Sequence, residues 1–303
     1  MNRRDFFKRG LAIGSYLLSS SALNINSSLF AGEQASLSPD LVAVRNGEPD
    51  VMFDQGIAAI GGMSAFVKKG QTVIIKPNIG WNGNPESGAN TNPILIKQII
   101  KHCLNVGAKK VYVFDNPVAD RSYKNSGIEE VVKQSGATMV SGKSEGYYQE
   151  VRIAGAKILK KTKVHELILE SDVFINVPVL KHHGSSSLTI AMKNLMGVVW
   201  DRGFYHSQGL HECIAEFCLF KKPDLNIVDA YRVTLRNGPS HAGPEDVVLK
   251  KNLLISKDIV AIDAASAKIF GEEPENIQYI KLANEKNIGM IMLDKLNIKK
   301  IAI

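Results

Sequence analysis

Short apolar runs alternate with amphipathic segments along most of this chain. The runs have the length of buried strands and are bounded by glycine, proline, asparagine or aspartate, so strands are predicted at 41–44, 72–75, 110–114, 138–140, 173–177, 225–228 and 247–255. Between them, helical spacing predicts helices at 51–67, 94–106, 128–134, 211–220, 259–270 and 276–287. Apolar strands alternating with helices are typical of a mostly parallel sheet with helices on both faces. The predicted fold class is therefore α/β, with 141–162 as a possible boundary between two lobes.

Residues 172–197 contain an unusual number of side chains that could bind a ligand or transfer a proton. A buried strand is followed at once by what reads as a loop, and then by an apolar segment with helical spacing over 188–196. Loops from strand to helix are where open α/β sheets bind ligands. The stretch places five functional candidates after its strand: Lys181, His182, His183, Lys193 and Asn194.

Other predicted strands also end in polar side chains. These are Lys76 and Asn78, Asp115 and Asn116, Asn176, and Asp229. Any one of them alone would be typical of a helix or turn cap. Because the carboxyl ends of parallel strands lie along one edge, four strands ending alike favour a shared ligand site there.

Lysine and histidine suggest what this site could do. His182, His183 and Lys193 are the candidate catalytic residues, since imidazoles and desolvated amines carry protons near neutral pH. We expect His182 and Lys193 to face one cavity, with Asp229 or Asp263 as the carboxylate paired with Lys193. The candidate ligand-binding residues are Lys76, Asn78, Asp115, Asn176, Lys181, Asn194, Asp229 and Asp263.

Five of the seven histidines fall between residues 182 and 241. Imidazole is a common ligand of transition metals, and the candidate metal ligands are His182, His183, His206 and His241. Their spacing matches no closed metal motif. A transition metal is therefore one option for the cofactor, which the sequence leaves unknown.

The first 32 residues indicate an export signal. Arg3 and Arg4, followed by two phenylalanines and a lysine, resemble the twin-arginine motif, and a moderately apolar stretch comes next. Cleavage after either Ala22 or Ala31 would fit, and 33–40 reads as a linker before a domain over 41–303. We therefore expect an exported, periplasmic protein that engages the export machinery.

Charge and cysteine content limit which partners and cofactors are expected. The net charge is +7, but no basic run is interleaved with aromatic residues, so nucleic acid is not an expected partner. The cysteines Cys103, Cys213 and Cys218 are too few for an iron–sulfur cluster held by four cysteines within this chain. Packing as small apolar side chains is the favoured interpretation, and one disulfide through Cys213 or Cys218 stays open.

Several motifs in order are similar to the prokaryotic family known as domain of unknown function 362. They are K-P-N at 76–78, T-N-P at 91–93, P-V-L-K-H at 178–182, K-N-L-M-G at 193–197, D-A at 229–230, G-P at 238–239 and S-K-D-I-V-A-I-D at 256–263. The resemblance spans about residues 41–290. It implies an association with iron–sulfur proteins, although this chain lacks the cysteine-rich module that many members carry.

Three functions are compatible with these features. The first is an exported enzyme acting on a small anionic substrate, with redox chemistry favoured by the family and a metal-dependent isomerase as a fainter option. The second is a periplasmic protein that binds a small anion or metallocofactor without catalysis. The third is an accessory protein that docks onto a redox partner. Whether the chain is an enzyme is left open by its sequence.

Overall fold

The computed structural model describes residues 38–119 and 121–303. The predicted export signal over 1–32 and most of the linker lie outside these residues. Within the described ranges, no helix is both long enough and apolar enough to cross a membrane.

Twelve strands are present in the described residues. They are β1 (Leu41–Arg45), β2 (Thr72–Pro77), β3 (Lys110–Val113), β4 (Thr138–Met139), β5 (Tyr148–Arg152), β6 (Lys161–His165), β7 (Val173–Val177), β8 (Val179–His183), β9 (Ser187–Thr189), β10 (Leu225–Thr234), β11 (Val247–Ser256) and β12 (Ile298–Ala302).

Ten α-helices connect and cover these strands. They are α1 (Pro49–Ala59), α2 (Pro93–Asn105), α3 (Ser122–Asn125), α4 (Ile128–Gln134), α5 (Glu166–Glu170), α6 (Ala191–Asn194), α7 (Arg202–Gln208), α8 (Leu210–Phe220), α9 (Ile259–Phe270) and α10 (Gln278–Glu285). The helix starts follow local chemistry: the Asp258 carboxylate, for example, accepts hydrogen bonds from the N–H groups of Val260 and Ala261 at the first turn of α9.

The main sheet has ten strands, eight of which follow the order β12-β1-β11-β10-β7-β2-β3-β4. The pairs from β10 through β7, β2 and β3 to β4 are parallel, whereas β11 runs antiparallel to both β1 and β10. Helices bury a hydrophobic core against each face: α1, α2 and α4 lie on one side, and α6, α8, α9 and α10 on the other. The predicted α/β class with a mostly parallel sheet is confirmed.

The segment after β7 differs from the prediction. Residues 178–189, expected to form a loop and the start of a helix, make an antiparallel hairpin of β8 and β9, with β8 also pairing with β10. The helix that follows is only the short α6, continued by a 3₁₀ turn over Leu195–Val198. A second antiparallel hairpin, β5 with β6, lies apart from the main sheet. The lobe boundary expected at 141–162 stays a prediction.

Candidate functional site

Lys76 lies at the centre of the polar edge of the sheet. In the parallel register of β2 and β7 it is opposite Asn176, so the two strand ends meet as expected. Its ammonium is 2.8 Å from the Pro77 carbonyl oxygen, 2.9 Å from Asn194 Oδ1 and 2.8 Å from Asp115 Oδ1. An ammonium has three donors. All three donors of Lys76 therefore have acceptors within the protein.

Asp115 is fixed as tightly as its lysine partner. One of its carboxylate oxygens accepts from the Ile79 N–H at 2.6 Å, and the other accepts from the Asn116 N–H at 2.8 Å. The pair packs directly over Gly197, where an added Cβ would lie 1.9 Å from Asp115 Oδ1 and 2.6 Å from Lys76 Nζ. Gly197 is thus required by the close approach of this ion pair.

A chain of buried asparagine amides contacts the ion pair through Asn194. Asn78 Nδ2 donates to Asn194 Oδ1 at 2.9 Å, Asn194 Nδ2 donates to Asn176 Oδ1 at 2.9 Å, and Asn176 Nδ2 donates to Asn226 Oδ1 at 3.0 Å. The chain ties β2, α6, β7 and β10 together. Asn176 is therefore a supporting residue behind Asn194, while Asn78 and Asn194 reach the pocket surface.

Lys181, on β8, is buried beside this network. It donates to Asn78 Oδ1 at 3.0 Å and to the Ala89 carbonyl oxygen. Burial, together with the positive charge of Lys193, lowers its pKa to about 7. Lys181 is thus held by two neutral oxygen acceptors, and no carboxylate is among its partners in the described chain.

Lys193 differs from both of these lysines. Its ammonium makes no hydrogen bond or ion pair with any residue that the structure describes. Burial, reinforced by the positive charges of Arg202 and Lys76, lowers its pKa to about 8. A lysine with these surroundings is partly neutral near physiological pH.

These groups surround a pocket of about 450 Å³, which we call the strand-end pocket. Its charged lining side chains, among the described residues, are Lys76, Lys181, Lys193, Arg202 and Asp115. Arg202 was not among the predicted site residues; it comes from α7 and donates to the Asn116 carbonyl oxygen at 2.7 Å. Four cations therefore face one carboxylate, and that carboxylate is already paired with Lys76.

Two of the four histidines proposed as metal ligands line the strand-end pocket, and the other two do not. His183 and His206 line the strand-end pocket, and burial followed by the charge of Lys193 lowers the pKa of His183 to about 3. His182 does not line it; its Nδ1 lies 3.3 Å from the Gly238 carbonyl oxygen. Because β8 is a strand, neighbouring side chains point to opposite faces, and the expectation that His182 shares a cavity with Lys193 was wrong. His241 is also outside, beside Ser240.

The two carboxylates expected to pair with Lys193 have other partners. Asp229 accepts from the N–H groups of Asn92 and Tyr231 at 2.7 and 3.0 Å. Asp263 accepts from the N–H groups of Ala191 and Met192, at 2.7 and 3.1 Å, and so fixes the start of α6. Neither lines the pocket, and the expected pairing was wrong. Burial raises the pKa of Asp229 to about 6 and that of Asp263 to about 8.

The pocket offers few donors for a metal ion. His183 and His206 are the imidazoles on its surface. Across residues 38–119 and 121–303, no three histidine, cysteine, aspartate or glutamate side chains are grouped so that they could hold an ion. The three cysteines are free and buried.

Comparison with known proteins identifies the family. The model of the family described as Domain of unknown function (DUF362) matches residues 73–268. The chain is 26% identical, over 242 residues, to a thylakoid-associated protein of Synechocystis sp., covering 76% of this chain and 72% of that protein.

Two solved structures are similar to part of the chain. The lactate racemase apoprotein from Thermoanaerobacterium thermosaccharolyticum superposes with a TM-score of 0.46 at 10% identity, covering 80% of this chain and 56% of that chain. A Thermotoga maritima protein solved by a structural genomics consortium gives a TM-score of 0.47 at 11% identity, covering 79% and 60%. The chain thus spans less than two thirds of either solved protein.

Proposed function

We propose that this chain, which belongs to the DUF362 family, binds a small anionic compound in the strand-end pocket and acts on it as an enzyme. One observation carries the proposal: Lys193 lies in a pocket with three further cations and has no partner among the described residues. A desolvated charge without a partner costs free energy that an anionic ligand would recover.

A ligand can be held only by those pocket cations whose hydrogen-bond donors are not already used within the protein. Lys76 is saturated by its three acceptors, and Lys181 is held by two. Lys193 and Arg202 are left with donors for a ligand, because the guanidinium uses one of its five in the bond to Asn116. We infer that these two side chains hold the anionic group, with Lys76, Lys181 and Asn194 forming the rigid floor.

Two features support catalysis in addition to binding. The amine of Lys193 has a pKa of about 8, which suits a group that accepts and returns a proton near neutral pH. His183, whose pKa is about 3, is a neutral imidazole at that pH and offers a hydrogen-bonding nitrogen. We propose Lys193 as the proton carrier and His183 as the group that orients the substrate.

Export and a redox role remain part of the proposal. The twin-arginine resemblance at Arg3 and Arg4 supports export to the periplasm. Any iron–sulfur cluster would come from a partner protein, because Cys103, Cys213 and Cys218 are buried in the hydrophobic core. If a transition metal takes part, His183 and His206 are the pocket imidazoles that would contact it.

Calorimetric titration with malonate and sulfate tests the binding step. We expect both anions to bind the wild type, and Lys193→Met or Arg202→Met to weaken binding at least about tenfold, which is about 1.4 kcal/mol. Lys97→Met is the matched control, because it removes the same charge from an exposed position on α2. Equal binding by the wild type and Lys193→Met would contradict the proposal.

Proton exchange separates an enzyme from a binding protein. The protein is incubated with malate in D2O, and the carbon-bound hydrogens are followed by NMR. Deuterium incorporation that depends on Lys193 supports the enzyme. Binding of malate without exchange favours the second function, a periplasmic protein that holds an anion or metallocofactor without chemistry.

A further inference from the structure

A second cavity adjoins the strand-end pocket. It has a volume of about 920 Å³ and shares Arg202 and Gly203 with that pocket as common wall residues. Its apolar lining is Ile158, Trp200 and Phe204, and we call it the tryptophan groove. The proposed anion site does not use it.

The tryptophan groove has nearly balanced charge, in contrast to the cationic pocket beside it. Lys163 pairs with Glu145 at 2.6 Å, and Lys161 pairs with Glu150 at 3.2 Å. The groove residue Asp201 is also engaged, since its carboxylate accepts from the Phe204 N–H at 3.0 Å. The groove therefore suits an uncharged group, and the pocket suits a charged one.

The aromatic wall of the groove is held in place before any ligand arrives. The Trp200 ring lies 5.3 Å from the Tyr148 ring, and the Tyr148 hydroxyl donates to the Gly142 carbonyl oxygen at 2.7 Å. The backbone N–H of Trp200 donates to the Lys163 carbonyl oxygen at 3.0 Å, which fixes the main chain that carries the ring. A fixed indole face is a favourable surface for a flat ring, because little side-chain freedom is lost on binding.

The part of the groove lined by Ile158 is anchored by a buried carboxylate. Glu216 accepts hydrogen bonds from the N–H groups of Lys157, Ile158 and Leu159, at 2.9 to 3.0 Å. This arrangement fixes the loop that brings Ile158 to the groove. Both walls are thus preformed, and the groove adjoins the strand-end pocket at Arg202 and Gly203, the first residues of α7.

We propose that the strand-end pocket and the tryptophan groove are two halves of one ligand site. The ligand is a small anion extended by an uncharged, flat aromatic or apolar group; its charged end lies near Lys193, and its extension packs between Trp200, Phe204 and Ile158. This inference rests on the proposed anion site for its charged end.

The chain provides its own reporters for each half. Its two tryptophans are Trp81, which lines the strand-end pocket, and Trp200, which lines the groove. Trp81→Phe leaves fluorescence from Trp200 alone, and Trp200→Phe leaves fluorescence from Trp81 alone. Two matched ligand pairs serve as probes: malonate with benzylmalonate, and methylphosphonate with phenylphosphonate.

We expect the head-only anions to change Trp81 emission and leave Trp200 emission unchanged. The aryl anions should change both, and should bind roughly tenfold more tightly than their head-only partners. Phe204→Ala should remove most of that aryl gain while the affinity for malonate is retained. Its melting temperature is measured alongside, because Phe204 also packs against the core.

The outcomes separate this inference from the proposed function. If malonate and methylphosphonate both fail to bind, the anion site fails and the two-part site fails with it. If they bind but the aryl anions gain no affinity, or gain it without changing Trp200 emission, the anion site stands and the two-part site is wrong. The two-tryptophan comparison needs only wild-type Phe204, so it decides the question even if Phe204→Ala does not fold.

Discussion

Replacing Lys193 by methionine should make the empty protein more stable. The substitution retains most of the side-chain volume and removes an ammonium that has no partner among the described residues. In the folded protein the pKa of this lysine falls from 10.5 to about 8. Each pKa unit corresponds to about 1.4 kcal/mol, so the charged lysine costs the native state about 3 kcal/mol, which is an upper limit for the gain.

The pH dependence of this gain has a defined sign. Below pH 8 the lysine is charged in both the folded and the unfolded chain, so the full cost is present. Between pH 8 and 10.5 the folded chain releases its proton first, and the cost declines; above 10.5 it vanishes. The stability advantage of Lys193→Met should therefore be greatest below pH 8 and shrink as the pH rises.

Urea denaturation of the wild type and Lys193→Met at pH 6, 7, 8 and 9 measures this difference as a free energy of unfolding. Lys97→Met is again the control, and we expect no comparable gain from it, because Lys97 is exposed. A Lys193→Met protein that is less stable than the wild type at pH 7 would refute the reasoning. That result would mean that the ammonium has a stabilising partner.

Three further predictions concern the ion pair and the export signal. Asp115→Asn leaves the Lys76 ammonium uncompensated in a buried site and should lower the free energy of unfolding by about 3–5 kcal/mol, measured by urea denaturation; a loss below about 1 kcal/mol would contradict the assigned pair. Gly197→Ala places a Cβ 1.9 Å from Asp115 Oδ1 and should cost about 1–3 kcal/mol and weaken malonate binding, whereas unchanged binding would show that the pocket floor tolerates the shift. Replacing both Arg3 and Arg4 by lysine should hold the precursor in the cytoplasm on cell fractionation, and a normal periplasmic yield would exclude twin-arginine export.

The sequence was sufficient to predict the polar edge of the sheet. Lys76 and Asn176 each follow a continuously apolar run, and parallel pairing of such strands brings their ends together. The same reasoning placed Asp115 nearby. These predictions needed only the strand ends and the direction of the strands.

Other parts of the site depend on contacts between distant segments. The polar residues of β8 and β9 are typical of a loop, so their sequence does not predict the hairpin. Without the hairpin, the alternation of side chains along β8 that turns His182 away from the pocket cannot be predicted either. Arg202 comes from a helix that carries no distinctive motif. Asp229 and Asp263 accept hydrogen bonds from the backbone N–H groups of Asn92 and Ala191, which are distant in the sequence. No local sequence pattern predicts those partners.

Proton uptake on anion binding tests the central claim most directly. At pH 8 about half of the Lys193 amines are neutral before binding, and a bound anion should raise the pKa and charge them. Malonate, which is fully ionised at this pH, is titrated into the wild type in two buffers of different ionisation enthalpy. Binding should therefore take up a fraction of a proton per malonate, approaching about one half when every bound protein carries a charged Lys193. Malonate binding with no proton uptake, or with proton release, would show that the anion does not pair with Lys193 and would contradict the claim.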